Sequence, residues 1–332
     1  MDRIAVVGAG SWGTTAAALA ARSTPTVLWA RRPELAKEIT ETGENRQYLP
    51  GLALPEGLTT TSDLEAAVDG ASAIVMAIPS HGFREIYSQI ANVVAEEIPV
   101  LSLTKGIEQE TLATMTQVVR EASPGKPGSL VGVMTGPNLA GEVAAGQPTA
   151  SVIAMADQAT ARGLQDVFMG PTFRVYTHDD VVGCELGGAL KNVMAIAAGM
   201  SDGLGFGDNT RASLITRALA ELTRLGVALG GRPATFAGLA GMGDLIATCI
   251  STASRNHQVG AALASGKTLT EVEAEMQMVA EGVKTTRAVL DLAGRQGIEM
   301  PIASHVGQVL YDGLQPREAV LRLMTREAKQ ED

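Results

Sequence analysis

One lysine stands out for what it could do chemically. Val182 to Gly203 reads VGCELGGALKNVMAIAAGMSDG, almost all small or apolar, with Lys191 and Asn192 in the middle. At helical spacing Gly187, Gly188, Met194, Ala195 and Ala198 fall around Lys191. An ammonium on such a face is desolvated, which favours its neutral form and makes it a proton donor or acceptor near neutral pH. A lysine that snorkels its head to water gives the same local pattern.

Three further groups have chemical character. Gly8-Ala9-Gly10-Ser11-Trp12-Gly13 follows an apolar, β-branched run and precedes an alanine-rich stretch. In that setting Gly8 makes a tight turn, Gly10 lets backbone approach a pyrophosphate, and Gly13 lets helix pack on strand, with helix N–H groups facing phosphate. Arg31 and Arg32 end the second strand, where an NAD site usually has an acid on the ribose. Two guanidiniums there suit a 2′-phosphate, so NADP is expected, although solvated surface arginines read alike. Ser254, Arg255 and Asn256 put hydroxyl, guanidinium and amide donors just before a helix, which suits a phosphate as well as it suits an ordinary polar loop. Asp244 follows three glycines and reads locally as a helix cap. Glu281, before Gly282, reads as a turn carboxylate or a contact to a cofactor amide or ribose.

The elements that must position these groups alternate. Strands are expected at Arg3 to Val7, Thr26 to Ala30, Leu58 to Thr60, Ala73 to Ile78, Pro99 to Leu103, Leu130 to Met134, Thr149 to Ala154 and Phe173 to Tyr176, with helices between most of them. This is the sequence form of a doubly wound α/β sheet, whose ligands bind beyond the carboxyl ends of the strands. Gly8 to Gly13, Pro79 to His81, Lys105 and Gly136 to Asn138 then share one crevice. Strand signals stop after Tyr176. Helices are expected at Val182 to Met200, Thr210 to Leu229, Thr235 to Cys249, His257 to Ala264, Val283 to Arg295, Ile302 to Tyr311 and Pro316 to Met324. Residues 1–180 therefore read as a Rossmann-type NADP-binding domain and 181–332 as an all-helical substrate domain.

Composition narrows the function. A net charge of −10 and 3% aromatic residues argue against nucleic acid and anionic lipid, so positive charge for phosphates must be local. Two unpaired cysteines, Cys184 and Cys249, and four scattered histidines argue for a reducing compartment and no metal site. The start MDRIAVVGAG enters a strand at once, and no apolar stretch of about 18 residues is apparent, so a cytoplasmic protein without a membrane span is expected.

The motifs GAGSWGT, NRQYLPG, LTKGIE, GPNLAGEVAAGQPTA, GALKNVMAIAAG, GMGDLIATCISTASRN and VAEGVKT, in this order, resemble bacterial NAD(P)-dependent sn-glycerol-3-phosphate dehydrogenase over essentially the whole chain. The resemblance implies that Gly8, Gly10, Ser11, Trp12, Gly13, Arg31, Arg32, Tyr48, Lys105, Ala140, Arg255, Val279 and Glu281 contact the nucleotide. It implies that Lys105, Gly136, Asn138, Lys191, Asp244, Ser254, Arg255 and Asn256 line a triose phosphate site, with Lys191 as the catalytic acid/base. It further implies NADPH in preference to NADH, dihydroxyacetone phosphate as substrate, sn-glycerol 3-phosphate for phospholipid synthesis as product, and a homodimer. Asn138 stands where the family usually has Ser or Thr, and Leu139 where an aromatic residue or His is common. A related hydroxyacid dehydrogenase shares the plan but needs a carboxylate clamp. A non-catalytic NADPH-binding regulator is a third class, disfavoured by the joint presence of Lys191, Asp244 and Arg255.

Overall fold

A computed structural model describes residues 1–276, 280–327 and 330. Eight strands form one sheet: β1 (Ile4–Val7), β2 (Thr26–Trp29), β3 (Leu58–Thr61), β4 (Ala73–Met76), β5 (Val100–Ser102), β6 (Val131–Thr135), β7 (Thr149–Ala154) and β8 (Phe173–His178), in the order β3-β2-β1-β4-β5-β6-β7-β8. All neighbours are parallel except β6 and β7, which pair antiparallel from Val133↔Ala154 to Thr135↔Val152. The chain leaves β1 toward β2 on one side and returns through β4 on the other. That reversal opens the crevice at their carboxyl ends.

Helices α1 (Ser11–Ala20), α2 (Pro33–Thr42), α3 (Leu64–Val68), α4 (Ser80–Ala91), α5 (Met115–Ala122), α6 (Ala140–Ala144) and α7 (Gln158–Phe168) lie among the strands. The two sheet faces follow strand alternation. Ile4 and Val6 of β1 join the core with Ala16, Ala17 and Leu164, while Ala5 and Val7 face Phe83, Tyr87 and Val118. A strand buried on both faces reads as a continuous apolar run, as β1 does.

The sheet ends at His178, and Asp180 caps α8 (Val181–Gly203) by accepting from Gly183 N at 2.9 Å. After α8 come α9 (Asp208–Ala228), α10 (Pro233–Phe236), a π-turn at Leu239–Gly243, α11 (Asp244–Ile250), α12 (Arg255–Ala264), α13 (Leu269–Glu275), α14 (Glu281–Gln296), α15 (Pro301–Tyr311) and α16 (Pro316–Met324). Helix α8 is the axis of the helical half, with twenty of its 23 residues buried. Its small residues let other backbones come close. A Cβ at Gly199 would overlap the His257 carbonyl oxygen, and one at Gly260 would overlap that of Ile196, so α8 and α12 touch main chain to main chain.

Three local expectations are corrected. The helix expected at Thr235 to Cys249 is broken into α10, the π-turn and α11. Three glycines weaken helix there, and Gly241 lies so close to the Phe236 carbonyl that no side chain fits. Asp244 does not cap α11: Gly243 occupies the cap, and the carboxylate points inward. The unforeseen α13 has a capping box, Thr268 with Glu271, legible as T-x-x-E.

By length and apolarity 181–203 and 233–250 would each suffice to cross a membrane, at a mean hydropathy of 1.3. The first is the buried core helix of the helical half, and the second is interrupted by the π-turn.

Candidate active site

The sheet half supplies two walls. Gly8 has φ +120, and a Cβ there would lie 2.5 Å from the Ala77 carbonyl oxygen, so only glycine makes this turn. Gly10 has open space on its Cβ side. The first intrahelical bond of α1 runs from Thr14 N to Gly10 O at 2.9 Å, so the N–H groups of the first turn precede the ladder and face the crevice. These are the features a pyrophosphate needs.

The excursion after α2 is held over this turn. Asn45, fully buried, donates to Ala9 O at 3.0 Å and to Thr14 Oγ1 at 2.8 Å, and accepts from Tyr48 N at 3.2 Å. Ser11 Oγ donates to Tyr48 O at 2.7 Å. Arg32 reaches Gln47 and sits over the Tyr48 ring at 5.9 Å, while Arg31 and Arg32 are both exposed. Trp12 turns its ring toward Phe173, 6.3 Å between centroids. Ala140 O accepts from Thr15 Oγ1 at 3.3 Å, which docks α6 on α1.

The second wall follows β5 and β6. Lys105 Nζ donates to Gly136 O at 2.8 Å and to Asp244 Oδ2 at 2.6 Å. Gly136 has φ +134, which turns its carbonyl to the lysine. From α8, Lys191 Nζ donates to Asp244 Oδ1 and to Thr248 Oγ1, both at 2.6 Å. Thr248 in turn donates to Asp244 O at 2.6 Å, one helical turn back. Lys191 is only 6% exposed and Asp244 1%. The snorkelling alternative is thereby excluded: the ammonium is inside, on a carboxylate.

Two cations thus share one buried anion, and the cluster carries a net positive charge. Burial by itself would raise the Asp244 carboxyl; the two ammoniums outweigh it and hold it below its ordinary range. Burial pulls the Lys105 ammonium down to about 8, against the pull of Asp244 and with the push of Lys191. Such a cluster can stabilise an oxyanion and deliver a proton to it.

A chain of amides ties the helical half to this wall. Asn192 Nδ2 donates to Lys105 O at 2.9 Å, Asn256 Nδ2 to Asn192 Oδ1 at 2.9 Å, and Gly282 N to Asn256 Oδ1 at 2.9 Å. Ser254 caps α12, accepting from His257 N at 3.4 Å. Arg255 opens α12, and burial pulls its guanidinium below its ordinary value against the attraction of Glu281, which heads α14 and accepts from Ser80 N and Oγ. Asn138 Nδ2 donates to Ser151 Oγ at 3.0 Å, and its Oδ1 is buried without a protein partner. Val279 lies outside the described residues. Among the described residues no group of three or more His, Cys, Asp or Glu is placed to hold a metal ion.

Two family descriptions match this chain: "NAD-dependent glycerol-3-phosphate dehydrogenase N-terminus" over residues 3–161, and the corresponding "C-terminus" over residues 180–321. The chain belongs to the NAD-dependent glycerol-3-phosphate dehydrogenase family. It is 54% identical to glycerol-3-phosphate dehydrogenase [NAD(P)+] 2 of Sphingopyxis alaskensis, covering 92% of this chain and 91% of that one. It is 51% identical to glycerol-3-phosphate dehydrogenase [NAD(P)+] of Geobacter sp. strain M21, covering 99% of each. The crystal structure of glycerol-3-phosphate dehydrogenase from Coxiella burnetii superposes with a TM-score of 0.91 at 37% identity, covering 98% of this chain and 99% of that one.

Within this dehydrogenase fold, Lys105, Gly136, Lys191 and Asp244 converge directly, and Asn256 joins them through Asn192. Asn256 bridges α8 and α14 through its Oδ1 and one Nδ2 hydrogen, which leaves its second Nδ2 hydrogen as a donor next to Arg255 in the first turn of α12. Sequence reasoning placed Ser80 in the crevice without a partner and gave no role to Asn45, Thr135 and Thr248. Thr248 had a signal, four residues after Asp244 on one helix. The bonds of Thr135 Oγ1, 3.4 Å from Asp244 Oδ2, and of Ser80 to Glu281 had none, because the partners are over 100 residues away.

Proposed function

We propose that the protein reduces dihydroxyacetone phosphate to sn-glycerol 3-phosphate, using NADPH in preference to NADH, and runs the reverse oxidation. The observation that carries this reading is the Lys191–Asp244–Lys105 cluster at the mouth of the crevice. Each ammonium has three N–H bonds, and two of each are engaged with protein. The remaining donors are what a carbonyl oxygen gaining negative charge requires. Bound nicotinamide would supply the hydride. Lys191 gives its proton to the developing alkoxide, while Asp244 and Thr248 hold the Lys191 ammonium in place and Lys105 adds a second positive charge.

The glycine turn, Ser11, the main chain of Trp12, Tyr48 and Ala140 would hold the nucleotide, with Arg31 and Arg32 on its 2′-phosphate and Glu281 on its amide or ribose. Ser254, Arg255 and the start of α12 would grip the triose phosphate, with Asn138 beside its polar end. The division at 180/181, a homodimer, a cytoplasmic location and a role in glycerophospholipid synthesis belong to the same reading.

Lys191→Met tests it, because it keeps side-chain length and removes the charge and the proton. Turnover should fall by about 10²–10⁴-fold while NADPH binding, followed by fluorescence titration, and the melting curve persist. A stable variant with near-normal turnover would transfer the acid role to Lys105.

A further inference from the structure

Ser80 and Glu281 are 201 residues apart and belong to opposite halves of the molecule. Ser80 opens α4, directly after β4, at the side of the sheet where the strand order reverses. Glu281 opens α14. An acid at that position is stabilised by its own helix terminus. Yet both Glu281 oxygens turn away from α14 and cross the cleft. Oε1 accepts from Ser80 N at 2.9 Å and Oε2 from Ser80 Oγ at 2.6 Å.

The serine is buried and the carboxylate half-buried. Ser80 is 4% exposed. Gly106, immediately after Lys105, lies against it: a Cβ there would come within 2.7 Å of Ser80 Cβ and 2.9 Å of Glu281 Oε2. The charged surroundings are cationic. Arg255 faces Glu281, and His81, next to Ser80, faces Lys284 and Arg31 as well as Glu281. A carboxylate free to rotate among those cations would settle on whichever came nearest. The two bonds to Ser80 fix it instead at the crevice edge.

We propose that Ser80 is a positioning residue, which holds the Glu281 carboxylate across the cleft in the geometry that the nucleotide meets. The proposal rests on the reading of Glu281 as a nucleotide contact. Ser80 acts through Glu281, so its removal loosens cofactor binding and leaves the reacting centre at Lys191 in place.

The test uses the full-length enzyme with NADPH as the probe, in four variants: Ser80→Ala, Ser80→Thr, Glu281→Gln and the Ser80→Ala/Glu281→Gln double. Removing one hydrogen bond to a charged group should weaken NADPH binding about tenfold in Ser80→Ala by fluorescence titration. Its kcat at saturating NADPH and its KM for dihydroxyacetone phosphate should stay within about twofold, since neither depends on uniform cofactor binding. Ser80→Thr, which keeps the hydroxyl, should restore affinity. In the double variant the serine change should add almost nothing to the glutamate change, the sign of two groups acting as one unit. Equal weakening by Ser80→Ala and Ser80→Thr would overturn the proposal, because packing and not the hydroxyl would then be at work. Unchanged affinity in Ser80→Ala alongside weakened affinity in Glu281→Gln would overturn it too, while sparing the reading of Glu281. Unchanged affinity in both would remove that reading as well.

Discussion

Asp244→Asn is the sharpest perturbation of the site, since it changes one heavy atom and removes the carboxylate that bridges the Lys105 and Lys191 ammoniums. Each lysine nitrogen lies 2.6 Å from one Asp244 oxygen. At an effective dielectric of about 20, charges at that distance attract by roughly 6 kcal/mol, before the desolvation of the ions is subtracted. Stripping one partner from such a cluster leaves uncompensated charge and destabilises by about 3–5 kcal/mol. The asparagine makes matters worse on one side, because its NH₂ faces a lysine donor with a donor. A chain of 332 residues has an unfolding entropy near 0.7 kcal/mol per kelvin, so the melting temperature should drop by about 4–7 °C. The deficit should widen as pH is lowered from the alkaline side, because protonating Lys105 then adds charge that nothing offsets. Turnover should fall by about 10²–10⁴-fold, because Asp244 no longer fixes the Lys191 ammonium where it delivers its proton. Melting curves across pH and the loss of NADPH absorbance with dihydroxyacetone phosphate measure both effects. A variant that melts within about a degree of the parent and turns over within a few-fold of it would refute the cluster as the functional centre.

Other outcomes follow from the same geometry. Replacing Arg31 and Arg32 together with Ala should weaken NADPH far more than NADH, since only the 2′-phosphate uses the guanidiniums; equal losses would end that assignment. Lys105 is protonated below about 8 and neutral above it, so kcat/KM for dihydroxyacetone phosphate should be level below that pH and decline above it. A profile level well past that point would take the Lys105 charge out of the transition state. Gly199→Ala sets a methyl group against the His257 carbonyl, which belongs to a packed helix and cannot withdraw as a side chain would. It should cost about 3 kcal/mol or more in urea unfolding, and a neutral result would contradict the close approach of α8 and α12.

Much of this molecule was readable because its signals are local. Strand, glycine turn and helix follow one another at Ile4–Ala20, and each is specified by its own residues: β-branched apolars, a glycine at positive φ, alanines. The eight strands and the change to helices after His178 were legible for the same reason. The small residues of α8 announced that other backbones would approach, and Gly199, Gly203 and Gly260 are where they do.

What only the tertiary structure decided is where polar groups find partners. In the sequence Asp244 is a carboxylate after glycines, and a helix cap is the local reading. Its actual partners, Lys105 and Lys191, lie 139 and 53 residues away, brought together by β5 and α8. The break at Leu239–Gly243 had a local signal in its three glycines, but the inward aim it gives Asp244 did not. The antiparallel turn of β7 is equally silent, since its residues would suit either direction. The amide chain through Asn192 and Asn256, and the bond from Ser80 to Glu281, are likewise set by the docking of the two halves. By itself the sequence determined which residues were available for chemistry and on which elements they lay. Folding determined which met, because a buried charge must find an opposite charge or a hydrogen bond, and the nearest one in space is rarely the nearest one in the chain.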